Sequence, residues 1–120
     1  MKIMIVEDHA DMRRVLRKVI SGSNYESLEI IECESGEDAI RQYSIYQPDC
    51  VLMDIELQTM SGFHAVSEIQ SQDKGVRVVF ITSYDTPTFK KKAEKLKAFG
   101  FISKDNLSDI NPILQTITTK

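Results

Sequence analysis

Hydrophobic and polar positions alternate along the chain in a regular pattern. Short apolar runs rich in valine and isoleucine are separated by longer amphipathic stretches. The runs are "IMIV" (3–6), "LEII" (28–31), "CVLM" (50–53), "VRVVFI" (76–81) and "FI" (101–102). Short apolar runs with many β-branched residues are typical of buried strands. The pattern therefore predicts five strands.

The stretches between the runs have helical spacing and recognisable ends. In the first of them, Met12, Leu16 and Ile20 recur at intervals that place them on one helical face. Candidate N-caps precede the later helices: Ser35, Ser61, Thr86 and Asn111, the last two each followed by proline. We expect Gly100 to end the fourth helix. Each strand is thus followed by one helix.

Strict alternation of five strands with five helices predicts a parallel sheet that is covered on both faces. Crossover connections in such sheets are right-handed, which leaves few topologies. The expected fold is α/β, a flavodoxin-like (βα)5 three-layer sandwich with strand order 2-1-3-4-5. The sequence contains no internal repeat, low-complexity segment or linker, so we predict one domain over residues 1–120.

Composition and charge narrow the range of functions. The chain has 120 residues, 42% hydrophobic and 28% charged, as in globular proteins. Its net charge of −3 argues against nucleic-acid binding by the chain itself. No apolar run is long enough for a membrane span, and "MKIMIVED" is not a signal peptide. Cys33 and Cys50 lack metal or redox spacing, so we expect small core residues in a cytoplasmic protein.

Polar residues with chemical potential follow the predicted strands. Glu7 and Asp8 follow the first strand, Asp54 the third, Thr82 the fourth and Lys104 the fifth. In open α/β sheets, sites form beyond the carboxyl ends of the strands, near the point where strand order reverses. Three carboxylates, a hydroxyl and an amine are therefore expected to converge in one crevice.

Such a set of groups suits phosphoryl chemistry. Crowded carboxylates raise one another's pKa, and a divalent cation such as Mg²⁺ relieves the repulsion. Lys104 can place a positive charge beside a carboxylate or a phosphoryl oxygen. An aspartate held beside a metal and a lysine can act as the nucleophile that forms an aspartyl phosphate. Phosphoryl transfer mainly requires positioning and charge neutralisation.

Five segments resemble those of a known family when they are read in order. They are "IVED" (5–8), "DCVLMDIEL" (49–57), "MSG" (60–62), "VVFITSY" (78–84) and "AFGFISKDN" (98–106). Together they resemble the receiver domain of two-component response regulators over essentially the whole chain. The "GFISKDN" segment is closer to receivers that precede a helix-turn-helix DNA-binding domain.

The resemblance implies a phosphoacceptor and a metal site. Asp54 would accept the phosphoryl group. Asp8, Asp54 and the backbone carbonyl of Glu56 would bind Mg²⁺, and Glu7 would act mostly through water. The chain would be no classical enzyme, although it would assist its own phosphorylation and dephosphorylation.

The resemblance also implies a switch and partners. Thr82 and Lys104 would contact the phosphoryl group, and Thr82 would move together with Phe101. The expected partner is a sensor histidine kinase. The face formed by the fourth helix, fifth strand and fifth helix would control an output, expected to be transcription, or form a phosphorylation-dependent homodimer. DNA would be contacted only through an output domain absent from this chain, and no membrane is involved.

Three positions depart from the family pattern. Gln58 stands where many members carry proline, and Phe101 replaces the commoner tyrosine. Lys104 is followed by Asp105 rather than by proline. Because a cis bond outside X-Pro costs about 2.5–4 kcal/mol, we expect this peptide to be trans.

Two other kinds of function remain open at this point. The first is a receiver-like interaction module without phosphorylation, against which the intact Asp8, Asp54, Thr82 and Lys104 argue. The second is a phosphatase or flavin carrier on the same fold. Gln58 breaks the phosphatase motif, and the acidic "EDHADM" after the first strand would repel a flavin phosphate.

The remaining charged residues are predicted to lie at the surface. Neither His9 nor His64 has a cysteine or a second histidine at metal spacing. Lysines make the fourth helix basic: Lys90, Lys91, Lys92, Lys95 and Lys97. They form either a solvated face or a surface that pairs with acidic residues of a partner or a second copy.

Overall fold

A computed structural model describes residues 1–118 of the chain. Its five strands form one parallel sheet in the order β2-β1-β3-β4-β5. The strands are β1 (Lys2–Val6), β2 (Glu29–Cys33), β3 (Cys50–Asp54), β4 (Val78–Thr82) and β5 (Gly100–Ser103). The predicted flavodoxin-like topology is confirmed.

Helices cover both faces of the sheet. They are α1 (Ala10–Ser21), α2 (Gly36–Tyr46), α3 (Gly62–Gln72), α4 (Pro87–Lys95) and α5 (Ile110–Thr118). A 3₁₀ segment, Lys104–Asp109, precedes α5. Within residues 1–118, no helix is both long and apolar enough to cross a membrane.

Two hydrophobic cores lie on opposite faces of the sheet because side chains alternate along each strand. Met53 and Phe80 belong to the core under α2, α3 and α4. Ile5 and Leu52 belong to the core under α1 and α5. Every residue of β3 and β4 is buried, which explains why these strands read as continuous apolar runs. The edge where these strands end is therefore rigidly supported.

Three of the predicted N-caps are confirmed by their hydrogen bonds. The side chains of Ser35, Ser61 and Thr86 accept backbone N–H groups at the starts of α2, α3 and α4, at 3.0, 3.1 and 3.2 Å. Each bond satisfies an amide that the first helical turn leaves without a partner.

The prediction that Gly100 ends the fourth helix is wrong. The helix α4 ends at Lys95, and the chain turns at Lys97, which adopts a left-handed φ of 58°. Gly100 is the first residue of β5, where a Cβ would lie 3.0 Å from Ile113 Cδ1 on α5. The glycine therefore permits close packing of β5 against α5.

Asn111 has a different role from the predicted cap. The helix α5 begins one residue earlier, at Ile110. The Asn111 amide donates to the Val19 carbonyl at 2.8 Å, and its oxygen accepts the Tyr25 hydroxyl at 2.6 Å. Asn111 thus links α5 to the end of α1.

Cys33 and Cys50 are both buried, as predicted, and both are free thiols. Burial raises the pKa of each thiol to about 12. Both cysteines therefore remain protonated and act as small core residues.

Candidate functional site: an acidic pocket at the carboxyl edge of the sheet

The predicted site residues meet at the carboxyl ends of the central strands. Asp54 is the last residue of β3 and Thr82 the last of β4, while Glu7 directly follows β1 and Lys104 directly follows β5. Strand β1 lies between β2 and β3, so the strand order reverses next to Asp54. The pocket occupies the position where doubly wound sheets bind ligands.

Lys104 joins the two most deeply buried acids of the pocket. Its Nζ lies 3.0 Å from Glu7 Oε1 and 3.3 Å from Asp54 Oδ1. Glu7 is fully buried and Asp54 is 2% exposed. Burial opposes ionisation of Glu7, but the His9 N–H and Lys104 outweigh it and hold the pKa of Glu7 below its usual value. Lys104 likewise keeps its charge, since the two acids overcome its burial and raise its pKa.

The other two acids are less well compensated. Burial raises the pKa of Asp54 to about 7, the charge of Glu7 adds to this, and Lys104 opposes it. Burial and the neighbouring Glu7 also raise the pKa of Asp8. Lys104 is therefore shared by Glu7 and Asp54, and Asp8 has no ion pair with it among the described residues.

The pocket contains carboxylate oxygens without hydrogen-bond partners among the described residues. They are Glu7 Oε1, Asp8 Oδ1, Asp8 Oδ2 and Asp54 Oδ2. Glu7 Oε1 has the ion pair with Lys104, but Asp8 Oδ2 and Asp54 Oδ2 have neither kind of contact. A buried set of oxygen ligands with excess negative charge fits a hard divalent cation such as Mg²⁺.

His9 lies at the rim of the pocket. Its side chain is 69% exposed, which confirms the surface prediction. Its Nδ1 nevertheless lies 3.1 Å from Glu7 Oε2 and 3.0 Å from Asp8 Oδ1. Glu7, Asp8 and His9 offer ligand atoms within 4.8 Å of one another. The signal for this contact in the sequence is the position of His9 directly after two acids.

The Glu56 side chain binds the end of β4. The Thr82 hydroxyl donates to Glu56 Oε2 at 2.6 Å, and the Ser83 N–H donates to Glu56 Oε1 at 3.0 Å. The Tyr84 N–H donates to Thr82 Oγ1 at 2.9 Å. We call the two bonds to Glu56 the Glu56 contact. The family resemblance implies a role only for the backbone carbonyl of Glu56, and no local sequence pattern indicates where its side chain points.

The loop between β3 and α3 is held close to Asp54. The Gly62 N–H donates to the Ile55 carbonyl at 2.9 Å, and a Cβ on Gly62 would lie 2.3 Å from the Asp54 carbonyl oxygen. The Thr59 hydroxyl, next to exposed Gln58, contacts both Glu37 carboxylate oxygens at 2.9 Å. These contacts position a loop in which the usual proline is missing.

Phe101 and the fifth strand border the other side of Thr82. Phe101 is half-buried, pairs in register with Phe80 and packs against the core under α4. Ser103 is the register partner of Thr82. The Lys104–Asp105 peptide is trans, as predicted. The proposed switch residues therefore lie on neighbouring strands.

An acidic pocket with a lysine at the switch point of a (βα)5 sheet defines a class of small α/β domains built like receivers. A sequence profile of the response regulator receiver domain matches residues 3–117. The chain belongs to this family, whose members are signalling domains of two-component systems rather than classical enzymes.

Proteins similar to this chain differ in how much of their own length the chain covers. It is similar to the chemotaxis protein CheY of Halobacterium salinarum, with 36% identity over 104 residues that cover 86% of this chain and 83% of that protein. It is 30% identical to the transcriptional regulatory protein YdfI of Bacillus subtilis over 108 residues, 90% of this chain but 50% of that protein. A LuxR-family response regulator from Aurantimonas has the same fold, with a TM-score of 0.86, 26% identity, and coverage of 99% of this chain and 86% of that one.

Proposed function

We propose that this chain is a phosphorylation-activated signalling switch that accepts a phosphoryl group from a sensor histidine kinase on Asp54. The observation that carries the proposal is the buried Asp54 carboxylate, 3.3 Å from Lys104 Nζ and with its second oxygen unpaired among the described residues. A receiver-like interaction module without phosphorylation would gain nothing from such a group, because burying an unsatisfied polar oxygen costs free energy.

The proposed reaction follows from the positions of these groups. A carboxylate oxygen of Asp54 forms a bond to phosphorus, while the phosphorus–nitrogen bond of a phosphohistidine breaks and the imidazole leaves with the bonding electrons. Lys104 offsets negative charge beside the reacting carboxylate. Asp8, Asp54 and the Glu56 carbonyl would hold Mg²⁺, with Glu7 acting mostly through water, and the ion would supply neutralisation of charge on the transferred group. Water later attacks the phosphorus, the bond between phosphorus and the Asp54 oxygen breaks, and inorganic phosphate leaves.

The same residues support a switch mechanism. Phosphoryl oxygens on Asp54 accept a hydrogen bond from Thr82, which shifts toward them and leaves space for Phe101. A cavity of about 200 Å³ lies between α4 and β5, beside Phe101 and Ala93. Movement of Phe101 in this region changes the face of α4, β5 and α5, which we propose as the output or homodimer surface.

We propose control of transcription as the output, through a DNA-binding domain outside this chain. The "GFISKDN" segment and the similarity to YdfI support it. The match to the CheY of Halobacterium salinarum covers 83% of that protein's length. This similarity favours a second candidate, a receiver that signals by binding a partner protein. Phosphorylation-dependent binding of the native full-length polypeptide to genomic DNA fragments separates the two.

We propose the cytoplasm as the place of action.

Intact mass spectrometry tests the phosphoacceptor directly. The protein is incubated with acetyl phosphate, with and without Mg²⁺, beside the variants Asp54→Asn and Asp85→Asn. We expect one Mg²⁺-dependent phosphoryl adduct on the wild type and on Asp85→Asn, whose exposed carboxylate lies outside the pocket, and none on Asp54→Asn. A folded wild-type protein without an adduct, or an adduct on Asp54→Asn, would refute the proposal.

A further inference from the structure

The Glu56 contact engages two hydrogen-bond donors at the end of β4. Both carboxylate oxygens take part, one with the Thr82 hydroxyl at 2.6 Å and the other with the Ser83 amide at 3.0 Å. Thr82 is fully buried and its hydroxyl has one proton to donate. While Glu56 accepts that proton at 2.6 Å, a phosphoryl oxygen cannot accept it in a comparably short bond.

The two donors lie beside the phosphoacceptor. Asp54 pairs in register with Ile81, so Thr82 and Ser83 follow directly at the neighbouring strand end. A phosphoryl group on Asp54 brings about −1.5 to −2 charges and three acceptor oxygens to this place. It would require the same donors, and it would repel the Glu56 carboxylate.

The two hydrogen-bond donors at the end of β4 do not need Glu56 in order to find an acceptor. Ser83 is exposed, so water can accept its amide proton. The Thr82 hydroxyl also lies 3.3 Å from the Tyr84 carbonyl, which offers a second acceptor. A capping role alone leaves unexplained why one anionic side chain binds both groups beside the reactive carboxylate.

We propose that the Glu56 carboxylate acts as an internal competitor of the phosphoryl group, and that it must leave Thr82 and Ser83 before these residues can bind phosphorylated Asp54. Glu56 is then a positioning residue that keeps the unphosphorylated state closed and slows phosphorylation. The inference rests on the proposed function, and it adds a role for a side chain whose backbone carbonyl alone was assigned to the metal site.

Three substitutions separate the effect of side-chain length at position 56 from the effect of its charge. Glu56→Ala removes the carboxylate. Glu56→Asp keeps the charge but is one methylene shorter, so it cannot bind both donors. Glu56→Gln keeps the length, loses the charge and retains one acceptor oxygen. Glu68→Ala, which removes an exposed acid from α3, serves as the matched control.

The first measurement requires no phosphodonor. Two-dimensional amide NMR is recorded on the wild-type protein and on each variant. We expect the Ser83 amide resonance to shift, and its hydrogen exchange to accelerate at least tenfold, in Glu56→Ala and Glu56→Asp but not in Glu68→Ala. An unchanged Ser83 amide in Glu56→Ala would refute the contact in solution, whatever the outcome with phosphodonors.

The second measurement is the rate of adduct formation with acetyl phosphate and Mg²⁺. We expect Glu56→Ala and Glu56→Asp to react about tenfold faster than the wild type, since a hydrogen bond to a charged group need no longer be broken. Glu56→Gln should lie between them and the wild type, and Glu68→Ala should react like the wild type.

The possible outcomes are distinguishable. Acceleration in Glu56→Ala with a wild-type rate in Glu56→Asp would show that charge alone matters and would overturn the competition. Rates equal to that of the wild type in both variants, with a shifted Ser83 amide, would also overturn it. Absence of an adduct from the wild type and from every variant would refute the proposed function itself.

Discussion

Asp54 is almost completely removed from water, and within residues 1–118 Lys104 is the one cation paired with it. Burial and the charge of Glu7 raise its pKa to about 7, even though Lys104 lies 3.3 Å away. Removing one partner of a buried ion pair usually costs about 3–5 kcal/mol, because the remaining charge is left uncompensated. The pocket therefore favours any added positive charge, whether this is a proton or a divalent cation.

Gly62 is the residue at which close packing limits substitution most clearly. A Cβ at this position would lie 2.3 Å from the Asp54 carbonyl oxygen and 3.0 Å from Ile55 Cα. We expect Gly62→Ala to lower the free energy of unfolding by about 1–3 kcal/mol, since backbone must move to admit the methyl group. Urea denaturation monitored by circular dichroism measures the change.

The matched control for this substitution is Gly75→Ala. Gly75 is exposed, and the nearest atom to a Cβ there would be Asp73 Oδ1 at 3.4 Å. We expect a change within about 0.5 kcal/mol, as for most surface substitutions. Equal losses of stability in both variants would contradict the role assigned to the approach of Gly62 to Asp54.

The placement of the site residues was predictable, whereas their side-chain contacts were not. Glu7, Asp54, Thr82 and Lys104 each follow an apolar run, and parallel strands end at the same edge of a sheet. The Glu56 contact depends on side-chain direction across a gap of 26 residues, for which the sequence carries no local signal. The roles of these residues in phosphoryl transfer stay predictions.

At the scale of elements, a buried tyrosine connects α2 to the end of α3. The Tyr43 hydroxyl donates to Asp73 Oδ2 at 2.7 Å, and this bond, with a further one from the Gly75 N–H, lowers the pKa of Asp73. A pKa that is lower in the folded state stabilises the fold above the unfolded-state value, which is about 3.9. The contribution is lost as the pH falls through the folded-state pKa.

We expect Tyr43→Phe to lower the free energy of unfolding by about 1 kcal/mol at neutral pH, the usual net value of such a hydrogen bond. Below about pH 4, the difference between the variant and the wild type should shrink, because Asp73 becomes protonated. Urea unfolding at several pH values measures both effects. Tyr46→Phe, at an exposed position, is the control. A difference that grows toward acid pH would contradict the assignment.

Element starts were easier to predict than element ends. Ser35, Ser61 and Thr86 are local signals, since each side chain bonds to an amide three residues further on. The end of α4 lacked such a signal because Lys97, rather than a glycine, adopts the left-handed conformation. Nothing in the local sequence pattern marks Lys97 for that conformation.

At the scale of the whole molecule, the acidic pocket should link cation binding to folding. A ligand that binds only the folded state stabilises it by about 2.7 kcal/mol at a free concentration 100 times its Kd. We expect Mg²⁺ to raise the thermal unfolding temperature of the wild type, and to do so much less in Asp8→Asn, which loses a charged ligand. Calorimetry in MgCl₂ and in NaCl of equal ionic strength measures the difference. Equal stabilisation of both proteins would place the cation elsewhere.

Charge is unevenly distributed over the molecule. The carboxylates of the pocket lie at one edge of the sheet, whereas the lysines of α4 are exposed on a neighbouring surface. Lys90 pairs with Asp85 at 3.4 Å, and Lys92 Nζ lies 5.6 Å from the centre of the Phe63 ring. Two predictions for these lysines stay untested: a face exposed to solvent, and a surface that pairs with acidic residues of a partner or a second copy.

The burial of both native cysteines makes the chain convenient for site-specific labelling. Maleimide reagents attack thiolates, and thiols with a pKa of about 12 in the core offer almost none at neutral pH. A single cysteine introduced on the exposed side of α4 would carry a fluorophore while Cys33 and Cys50 stay unmodified. Motion of α4 relative to the sheet could then be followed in real time on a chain with its natural core intact.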